Sequence, residues 1–514
     1  MKSGLQRFNY APHYLLVFLV VVTMRILFLA ASHLTYEDAL ITMRYANNIA
    51  GGHGFVYNIG ERALGTTTPL FTLILALGPL LRIDVIVWSK ILGILAGGIS
   101  GVLIFELTRL YAGVRTAWYA VALFATWSLI VRVGVSGMET AFVVMLMLAS
   151  YYLLYSRRFW AAGIAGGLLL WTRLDGIAWL GVVFLCFLLI ERKLPWQSIA
   201  ASLMTVAPWF IFAHYYFGSI IPNSITAKHV AYAENYGLSM GYCVREIILG
   251  VLGDQRAEMA AKAPPILLYL IGCAIALRNN RRLLAPALFP IIYLGALATS
   301  RVVIFDWYLV PAIVPLLVVA ALGANGIHSK MEQKLALIRP LNLAGPALLF
   351  LIYAAALTYS VSSARELQQM EESRRKPLGL WLATETPANA SVLLEPIGYI
   401  GYYSNRYILD EVGLVSPQVV KFRAKASNLN PDLPPFASIA KRFIPDYIVA
   451  RNGDVGSAIS NRDFRNWFER RYSKVASFSS DYRWLNNQNR ELVVYERQSV
   501  STSMSDVKPR QMLR

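Results

Sequence analysis

Long apolar runs alternate with short basic loops along most of the chain. Uncharged runs of about 20 residues are typical of helices that cross a bilayer. A basic leader precedes the first run, but no convincing small-residue cleavage site follows it, so we interpret that run as a retained span. The pattern predicts eleven transmembrane helices, over residues 12–32, 87–111, 116–134, 140–156, 160–174, 176–191, 198–217, 264–278, 283–299, 307–325 and 341–360.

The apolar stretch 69–81 is too short to cross a bilayer comfortably, and we predict a helix at the membrane surface there. With the N-terminus cytoplasmic, every inside loop then carries Lys or Arg, as the positive-inside rule requires. These basic residues are Arg109, Arg115, Arg157, Arg158, Arg192, Lys193, Arg278, Arg281, Arg282, Lys330, Lys334 and Arg339. An odd number of spans places the C-terminal region on the outer side.

The composition changes after residue 360, because no later apolar run is long enough to span. Short apolar segments within 387–396, 405–414, 446–450 and 491–497 predict strands, and amphipathic segments 436–443 and 462–472 predict helices. We therefore predict a transmembrane domain over 1–360 with a first outer loop at 33–86, an extracytoplasmic α/β domain over 361–497 and a disordered tail over 498–514. The predicted fold class is a polytopic α-helical membrane protein with a C-terminal α/β domain.

The composition supports this class. The chain has 514 residues, 56% of them hydrophobic, and a mean hydropathy of +0.48. A net charge of +18 would suggest a nucleic-acid partner for a soluble protein, but here much of it lies in loops between spans, so we expect none. The three cysteines form no CxxC pair, which argues against a disulfide framework or a zinc site.

The stretch 35–71 carries the first candidate chemistry. Glu37 and Asp38 are adjacent at the outer rim of the first span, and Asp38, Thr42 and Tyr45 share a face of the predicted helix after it. Carboxylates beside Arg44 are expected to stay ionised, as a general base must be. The alternative is that the acids only stabilise the helix N-terminus.

The segment that follows this helix, 51–65, is rich in glycine. It lacks the GxxxxGK[ST] pattern of a phosphate loop and no strand precedes it, so we predict a structured surface loop. Its His53 is a lone histidine, which is more often structural than catalytic.

Further polar clusters interrupt the spans on the predicted outer side. Glu139 lies in SGMETAF, and Arg173 and Asp175 lie in WTRLDGIAW. Ionisable groups at membrane depth are functional candidates, although a structural Arg173–Asp175 or Arg173–Glu139 ion pair is the alternative. Lys228 and Arg301 are cations suited to a lipid phosphate, or to anchoring at lipid headgroups.

Bases and cations on one side favour glycosyl transfer from a lipid-phosphate sugar. The acceptor hydroxyl needs a base, whereas a phosphate leaving group needs only cations and no general acid. A single carboxylate in an in-line displacement predicts inversion, in contrast to the two carboxylates of glycosidases.

The same motifs resemble the GT-C superfamily of multi-span, polyprenyl-phosphate-sugar-dependent glycosyltransferases. The resemblance lies in YEDALITMRYANNIAGGHGFVYNIGERALGTTTPLF, SGMETAF, TRLDG, YYFGSIIPNSITAK and SVLLEPIGYIGYYSNRYILDEVGL, in this order over about residues 35–413. It is closest to bacterial members such as actinobacterial arabinofuranosyltransferases, which commonly carry two adjacent Asp. The departure at Glu37 leaves Asp38 as the implied base.

The resemblance implies an inverting enzyme of cell-envelope polysaccharide or glycolipid assembly in the bacterial plasma membrane. Asp38 would be the base, Glu37 would orient the acceptor, and Lys228 and Arg301 would bind the donor phosphate. The other substrate-binding candidates are Glu139, Arg44, Tyr45, His53, Arg173 and Asn223. We expect a polyprenyl-phosphate sugar donor, a glycan or lipid acceptor and membrane lipids as partners. No nucleotide cofactor or metal is expected to be required, although Glu37, Asp38 and Glu139 could coordinate a divalent cation.

Three other functions remain open at this point. A transporter or flippase would carry polar residues near the midplane of broken spans. A non-catalytic glycan-assembly scaffold would not depend on Asp38. A ligase that moves a whole glycan from a pyrophosphate carrier would need more cations in the site.

Overall fold

The computed structural model describes residues 10–235, 239–253, 256–300, 302–334, 343–425, 429–482 and 490–498. Two predictions fall outside these residues. They are the phosphate-binding candidate Arg301 and the disordered tail from residue 499 onward.

Helices dominate the described chain as far as residue 385. They are α1 (Ala11–Ser32), α2 (Glu37–Ala50), α3 (Pro69–Leu80), α4 (Val85–Ala112), α5 (Val114–Thr126), α6 (Ser128–Val135), α7 (Thr140–Tyr155), α8 (Phe159–Thr172), α9 (Gly176–Glu191), α10 (Trp196–Phe217), α11 (Asn223–Asn235), α12 (Met240–Leu252), α13 (Arg256–Asn279), α14 (Leu284–Thr299), α15 (Asp306–Lys334), α16 (Ala344–Met370) and α17 (Lys376–Glu385). A 3₁₀ turn, Arg281–Leu283, precedes α14, and a π-helical turn, Glu371–Arg375, joins α16 to α17.

Helices lie at each predicted span, but the count of eleven is not confirmed. By length and apolar composition, seven of the described helices could cross a membrane: α1, α4, α10, α13, α14, α15 and α16. An eighth is the pair α5 and α6, which is bent by 57° at Trp127 where one straight span is predicted. The helices α7, α8 and α9 have only 14 to 16 residues and fall short of this length. Eleven spans therefore stay a prediction.

The structure tests two predicted segment bounds, those of the short helix over 69–81 and of the domain boundary at residue 360. The short helix predicted over 69–81 is confirmed as α3, whose 12 residues extend about 18 Å, well short of a hydrocarbon core of about 30 Å. Its position relative to the membrane stays a prediction. Helix α16 continues through residue 360 to Met370, so the predicted domain boundary lies inside a helix.

The C-terminal region contains a five-stranded sheet in the order β2-β1-β3-β5-β4. The strands are β1 (Ser391–Leu394), β2 (Tyr407–Asp410), β3 (Tyr447–Arg451), β4 (Tyr472–Ser479) and β5 (Glu491–Arg497). Strand β1 is parallel to β2 and β3, whereas β5 is antiparallel to β3 and β4. The accompanying helices are α18 (Tyr399–Ser404), α19 (Pro417–Arg423), α20 (Pro435–Phe443), α21 (Asn452–Ser460) and α22 (Arg462–Glu469). The four predicted strands are confirmed; β4 is not predicted.

The first outer loop and this sheet share one hydrophobic core. Ile41 and Tyr45 of α2 pack in the same buried cluster as Val392 of β1 and Val415 of the loop after β2. Burial of apolar side chains from both parts stabilises their contact by about 25 cal/mol per Å² of apolar surface removed from water. The core therefore holds the sheet domain against α2, the helix that begins with Glu37 and Asp38.

Candidate active site

A cavity of about 420 Å³ opens beside the N-terminal turn of α2. It is surrounded by the first turns of α2, the Thr-rich segment before α3, the α8–α9 connection, α11, and the facing ends of α14 and α15. Four of the predicted residues line it together: Asp38, Glu139, Arg173 and Lys228. Much of the remaining wall is apolar, including Ile41, Leu174, Ile177, Ala178, Ala296, Leu297 and Trp307.

Asp38 presents an unoccupied carboxylate to this cavity. It lies in the first turn of α2, and Thr42, one helical turn later, lines the cavity beside it. Within the described ranges, the Asp38 carboxylate forms no hydrogen bond or ion pair with another side chain. Asp38 is half-buried, so the group can be reached by a substrate. A carboxylate without a protein partner can accept a proton from a bound hydroxyl group.

Glu37 is turned the other way, because consecutive helical residues point about 100° apart. Its carboxylate accepts a hydrogen bond from the backbone N–H of Gly398 in the outer domain, and it does not line the cavity. Burial, followed by the neighbouring Asp38, raises the pKa of Glu37 well above its usual value. This placement gives no support to contact between Glu37 and an acceptor, and the raised pKa runs against its expected ionised state.

Arg173 is held by two carboxylates. Its Nε and Nη2 atoms donate to Asp175 at 3.0 and 2.7 Å, and Nη1 donates to Glu139 at 3.2 Å. Tyr293 donates a further hydrogen bond of 2.7 Å to Asp175. Both ion pairs proposed as structural alternatives therefore exist. Three of the five N–H donors of the guanidinium are used, and two carboxylates already balance its charge, so Arg173 is a weaker candidate for a phosphate.

Lys228 is the cation that faces the cavity without a carboxylate partner in the part of the chain that the structure describes. Its ammonium nitrogen lies 3.4 Å from the hydroxyl oxygen of Tyr308 and 4.7 Å from the ring centroid of Phe305. Burial acts to lower the pKa of Lys228, but Tyr308 and Asp38 outweigh it and the pKa is raised. The group therefore carries a positive charge near neutral pH and is available to an anion.

The other predicted residues lie outside the cavity and are engaged elsewhere. Arg44 donates to the carbonyl oxygens of Gly401 and Arg406, each at 2.7 Å. Tyr45 is fully buried and donates to the carbonyl oxygen of Ala63 at 2.6 Å. These bonds give Arg44 and Tyr45 a role in docking and folding the outer loop.

Asn223 does not line the cavity, and its amide nitrogen donates to the carbonyl oxygens of Gly413 and Leu414 at 2.7 and 2.9 Å. His53 is exposed in the loop after α2 and does not line the cavity. Neither side chain is placed beside Asp38 by the fold.

Several lining residues are missed by sequence reasoning. The hydroxyl groups of Thr66 and Thr68 line the wall, with their oxygens 3.2 Å apart. Tyr293 lies within an apolar span that gives no polar signal, and Leu414 comes from the outer domain. Tyr308 lies two residues after Asp306, a charged residue at the start of an apolar run. This charge in the stretch 300–311 is the sequence signal that could have pointed to Tyr308 as a site residue. In the described residues, no group of three or more His, Cys, Asp or Glu could hold a metal ion, so Glu37, Asp38 and Glu139 do not converge as ligands.

Residues 362–495 match a family model described as a domain of unknown function (DUF8728). No curated protein sequence matches the chain.

Solved structures match most of it. ArnT from Cupriavidus metallidurans in the apo state superposes with a TM-score of 0.59 at 15% identity, covering 96% of this chain and 98% of ArnT. The same protein bound to undecaprenyl phosphate gives 0.56 at 14% identity, covering 94% and 98%. The oligosaccharyltransferase AglB from Archaeoglobus fulgidus, in complex with an inhibitory peptide and a dolichol-phosphate, gives 0.57 at 13% identity, covering 96% and 76%. Arabinofuranosyltransferase AftD from mycobacteria gives 0.51 at 16% identity, covering 93% of this chain and 41% of AftD.

These similarities extend over nearly all of the chain at low identity, so they bear on architecture. The apolar helices and the matching structures agree on a multi-pass membrane protein with an appended sheet domain. The chain has the fold of the GT-C glycosyltransferases.

Proposed function

We propose that this protein is an inverting glycosyltransferase that moves a sugar from a polyprenyl-phosphate donor to a glycan or lipid acceptor. The reaction takes place at the outer face of the bacterial plasma membrane. One observation carries the proposal: Asp38 and Lys228 line the same mostly apolar cavity, and among the described residues neither forms an ion pair. An unoccupied carboxylate and an unneutralised cation are the two groups that this transfer needs.

In this mechanism Asp38 accepts the proton of the acceptor hydroxyl as its oxygen attacks the anomeric carbon. The bond between that carbon and the phosphate oxygen breaks on the opposite face, so the configuration inverts. Lys228 neutralises the departing lipid phosphate, which needs no proton because it is a weak base. Arg173, Glu139 and Asp175 form a rigid polar wall that binds sugar hydroxyl groups. Neither a nucleotide nor a metal takes part.

The similar structures support the choice of donor. ArnT has been solved bound to undecaprenyl phosphate and AglB bound to a dolichol-phosphate, and both are lipid phosphates. AftD is an arabinofuranosyltransferase, which agrees with a sugar as the transferred group. The apolar wall of the cavity beside Lys228 is suited to the first isoprene units of such a lipid.

The test is the pair of substitutions Asp38→Asn and Glu37→Gln. Tyr36 occupies the N-cap position of α2 and no side chain caps the helix, so as a structural residue Asp38 would contribute only its interaction with the helix dipole, about 0.3–1 kcal/mol, and its loss alone should leave activity nearly unchanged. Loss of a base should lower turnover by at least about 100-fold. Glu37→Gln should retain most activity, because an amide oxygen can still accept the Gly398 N–H. Transfer is measured from a panel of synthetic polyprenyl-phosphate pentoses and hexoses, with wild-type turnover as the reference.

Monodispersity in detergent shows that each variant is folded. A folded Asp38→Asn protein with wild-type turnover would contradict the proposal. An inactive Glu37→Gln protein beside an active Asp38→Asn protein would move the base to Glu37.

A further inference from the structure

A second cavity lies across the N-terminus of α15 from the candidate active site. It has a volume of about 380 Å³ and is bordered by α6, α12, α13, the start of α15 and α16. Phe305 and Asp306 line this cavity, whereas Trp307 and Tyr308 line the first one. Tyr482 of the sheet domain also lines it, so the cavity lies at the end of the helices nearest that domain. The mechanism above gives it no role.

The wall of this cavity is mostly polar, and its charges balance among the described residues. The cations are Arg132 and Lys262, and the carboxylates are Glu246 and Asp306. Arg132 donates to Asp306, and Tyr36 donates to the same carboxylate at 3.3 Å. A ligand with a net charge would be complementary to only half of this set, whereas a ligand with one charge of each sign is complementary to all of it.

A smaller, mostly apolar cavity of about 100 Å³ continues the polar one along α16. Four lining residues are common to both cavities: Ser128, Lys262, Tyr359 and Ser360. On α16 the polar cavity extends to Ser363 and the apolar one to Tyr353, ten residues or about 15 Å farther from the sheet domain. The two cavities thus form one space that is polar near the sheet domain and apolar at membrane depth.

The bend between α5 and α6 places a donor without a partner in the smaller cavity. Trp127, at the bend, is 1% exposed, and its indole N–H has no hydrogen-bond partner in the part of the chain that the structure describes. Its ring stacks on Tyr353 with the centroids 5.9 Å apart, and Nζ of Lys262 lies 5.6 Å from the Trp127 centroid. Buried indole N–H groups usually find an acceptor. A ligand that satisfies this donor carries an oxygen atom where the polar wall gives way to the apolar one.

The edge of this space reaches the apolar outer surface of the helices. Tyr359, which lines both cavities, is 45% exposed. Leu267 and Leu270 of α13 and Leu351 of α16 are also exposed, as expected of side chains that face lipid. A bilayer lipid can therefore reach the space between α13 and α16.

We propose that a zwitterionic phospholipid, with phosphatidylethanolamine as the simplest case, occupies the two cavities. Its phosphate lies with Arg132 and Lys262, and its ammonium group lies with Glu246 and Asp306. An ester carbonyl oxygen accepts the Trp127 N–H, and the first methylene groups of one chain fill the smaller cavity. The rest of both chains lies along α13 and α16 in the bilayer. A polyprenyl phosphate fits less well, because it has no cation for the carboxylates and no ester oxygen for the indole.

The lipid packs behind one wall of the candidate active site. It fills the space between the bent pair and α16, and it contacts Asp306, which is adjacent in sequence to Trp307 of the first cavity. Phe305, the other residue of this wall, lies 4.7 Å from the ammonium nitrogen of Lys228. Binding of the lipid does not depend on the transfer chemistry, so it can be tested whether or not Asp38 is a base.

The direct test is a cryo-electron microscopy structure of the full chain in nanodiscs made of equal parts phosphatidylethanolamine and phosphatidylglycerol. We expect density for one diacyl lipid, with its headgroup between Arg132 and Glu246 and a chain beside Trp127. Cavities that hold only water in this structure would overturn the proposal.

Native mass spectrometry of the detergent-purified protein, titrated with phosphatidylethanolamine, measures the affinity. Ser360→Trp fills the junction of the two cavities and should weaken binding at least about tenfold. Thr358→Trp places the same side chain on the exposed face of α16 and is the matched control, which should bind as the wild type does. Trp127→Phe keeps the aromatic stack but removes the N–H, and it should weaken binding about 2- to 10-fold.

Equal binding by Ser360→Trp and Thr358→Trp would place the lipid elsewhere and contradict the proposal. Tighter binding of phosphatidylglycerol than of phosphatidylethanolamine would contradict the zwitterionic class of the ligand. If Ser360→Trp does not fold, the nanodisc density and the lipid preference of the wild type decide.

Discussion

At the scale of single residues, neighbouring groups of the same charge have different surroundings. Asp38 faces the cavity, whereas Glu37 accepts a hydrogen bond from the backbone N–H of Gly398 and does not line the cavity. The cations differ in the same way, since Arg173 is held by two carboxylates and Lys228 by none among the described residues. Charge along the sequence shows that such groups exist, but their partners decide which of them can act on a substrate.

Lys228 should therefore carry most of the cationic contribution to donor use. Charge-assisted hydrogen bonds are worth roughly 1.5–3 kcal/mol, so Lys228→Met should lower kcat/KM for the donor at least about tenfold. Lys228→Arg keeps the charge and should recover part of this loss. Lys376→Met is the control, because Lys376 lies outside the cavity in an exposed ion pair with Glu372. Steady-state kinetics with varied donor and acceptor measure the effect, and wild-type kinetics in Lys228→Met would place the phosphate elsewhere.

At the scale of elements, the sheet domain is hydrogen-bonded to the helix that carries Lys228. Asn223 at the start of α11 donates to the loop after β2, and Arg423 of α19 donates to the carbonyl oxygen of Ala231 at 3.3 Å. Leu414 of the same loop lines the cavity. The sheet domain thus contributes to the wall of the site and to the position of its cation.

The loop after β2 should give the protein a pH-dependent stability. The buried Asp410 carboxyl accepts N–H bonds from Val412 and Val415, yet burial outweighs them and raises its pKa to about 7. An unfolded Asp titrates near pH 4, so between about pH 4 and 7 the folded protein binds the extra proton. Asp410 therefore favours the folded state at low pH, and this contribution is lost as the pH rises to about 7.

Asp410→Asn cannot titrate. The wild-type thermal midpoint minus that of this variant should therefore fall from pH 4 to pH 7. Above pH 7 this difference should stay constant. Glu469→Gln, a change at an exposed site, should leave the wild-type profile intact. Parallel profiles for the wild type and Asp410→Asn would contradict the raised pKa of Asp410.

Local patterns predicted the elements better than the contacts between them. Hydrophobic periodicity was enough for α2, for α3 and for four of the five strands. It missed β4, which follows α22 with only Arg470 and Arg471 between, and it missed α12. Arg44 was placed beside the carboxylates because it is near in sequence, but its partner Gly401 lies 357 residues away. No local pattern contains such a pairing.

At the scale of the whole molecule, the sidedness of the chain depends on which helices cross the membrane. Seven described helices and the bent pair are long enough, and the total reaches eleven if α7, α8 and α9 cross as well. The basic pairs Arg157 with Arg158 and Arg192 with Lys193 flank these three short helices. Helix α8 connects the first basic pair to the polar cluster at Asp175, and α9 connects that cluster to the second pair. The positive-inside rule therefore favours a membrane crossing by each of these two helices. Helix α3 is followed by the single basic residue Arg82 instead of a basic pair, and it is shorter still.

The outer sheet domain and the loop between α9 and α10 should therefore lie on opposite sides of the membrane. Single cysteines test this: Ser457→Cys is exposed on the sheet domain, and Lys193→Cys is exposed in that loop. A membrane-impermeant maleimide should label Ser457→Cys in intact spheroplasts, and Lys193→Cys only after permeabilisation. The wild type gives the background, with Cys186 and Cys243 buried. Label on Lys193→Cys alone in intact spheroplasts would mean that the topology is inverted. Label on both variants would mean that an odd number of the predicted crossings between the two positions is absent. The test does not bear on α3, because α3 precedes both positions. If Ser457→Cys is labelled as expected, Asp38 and the donor phosphate face the compartment that holds lipid-linked rather than nucleotide-linked sugars.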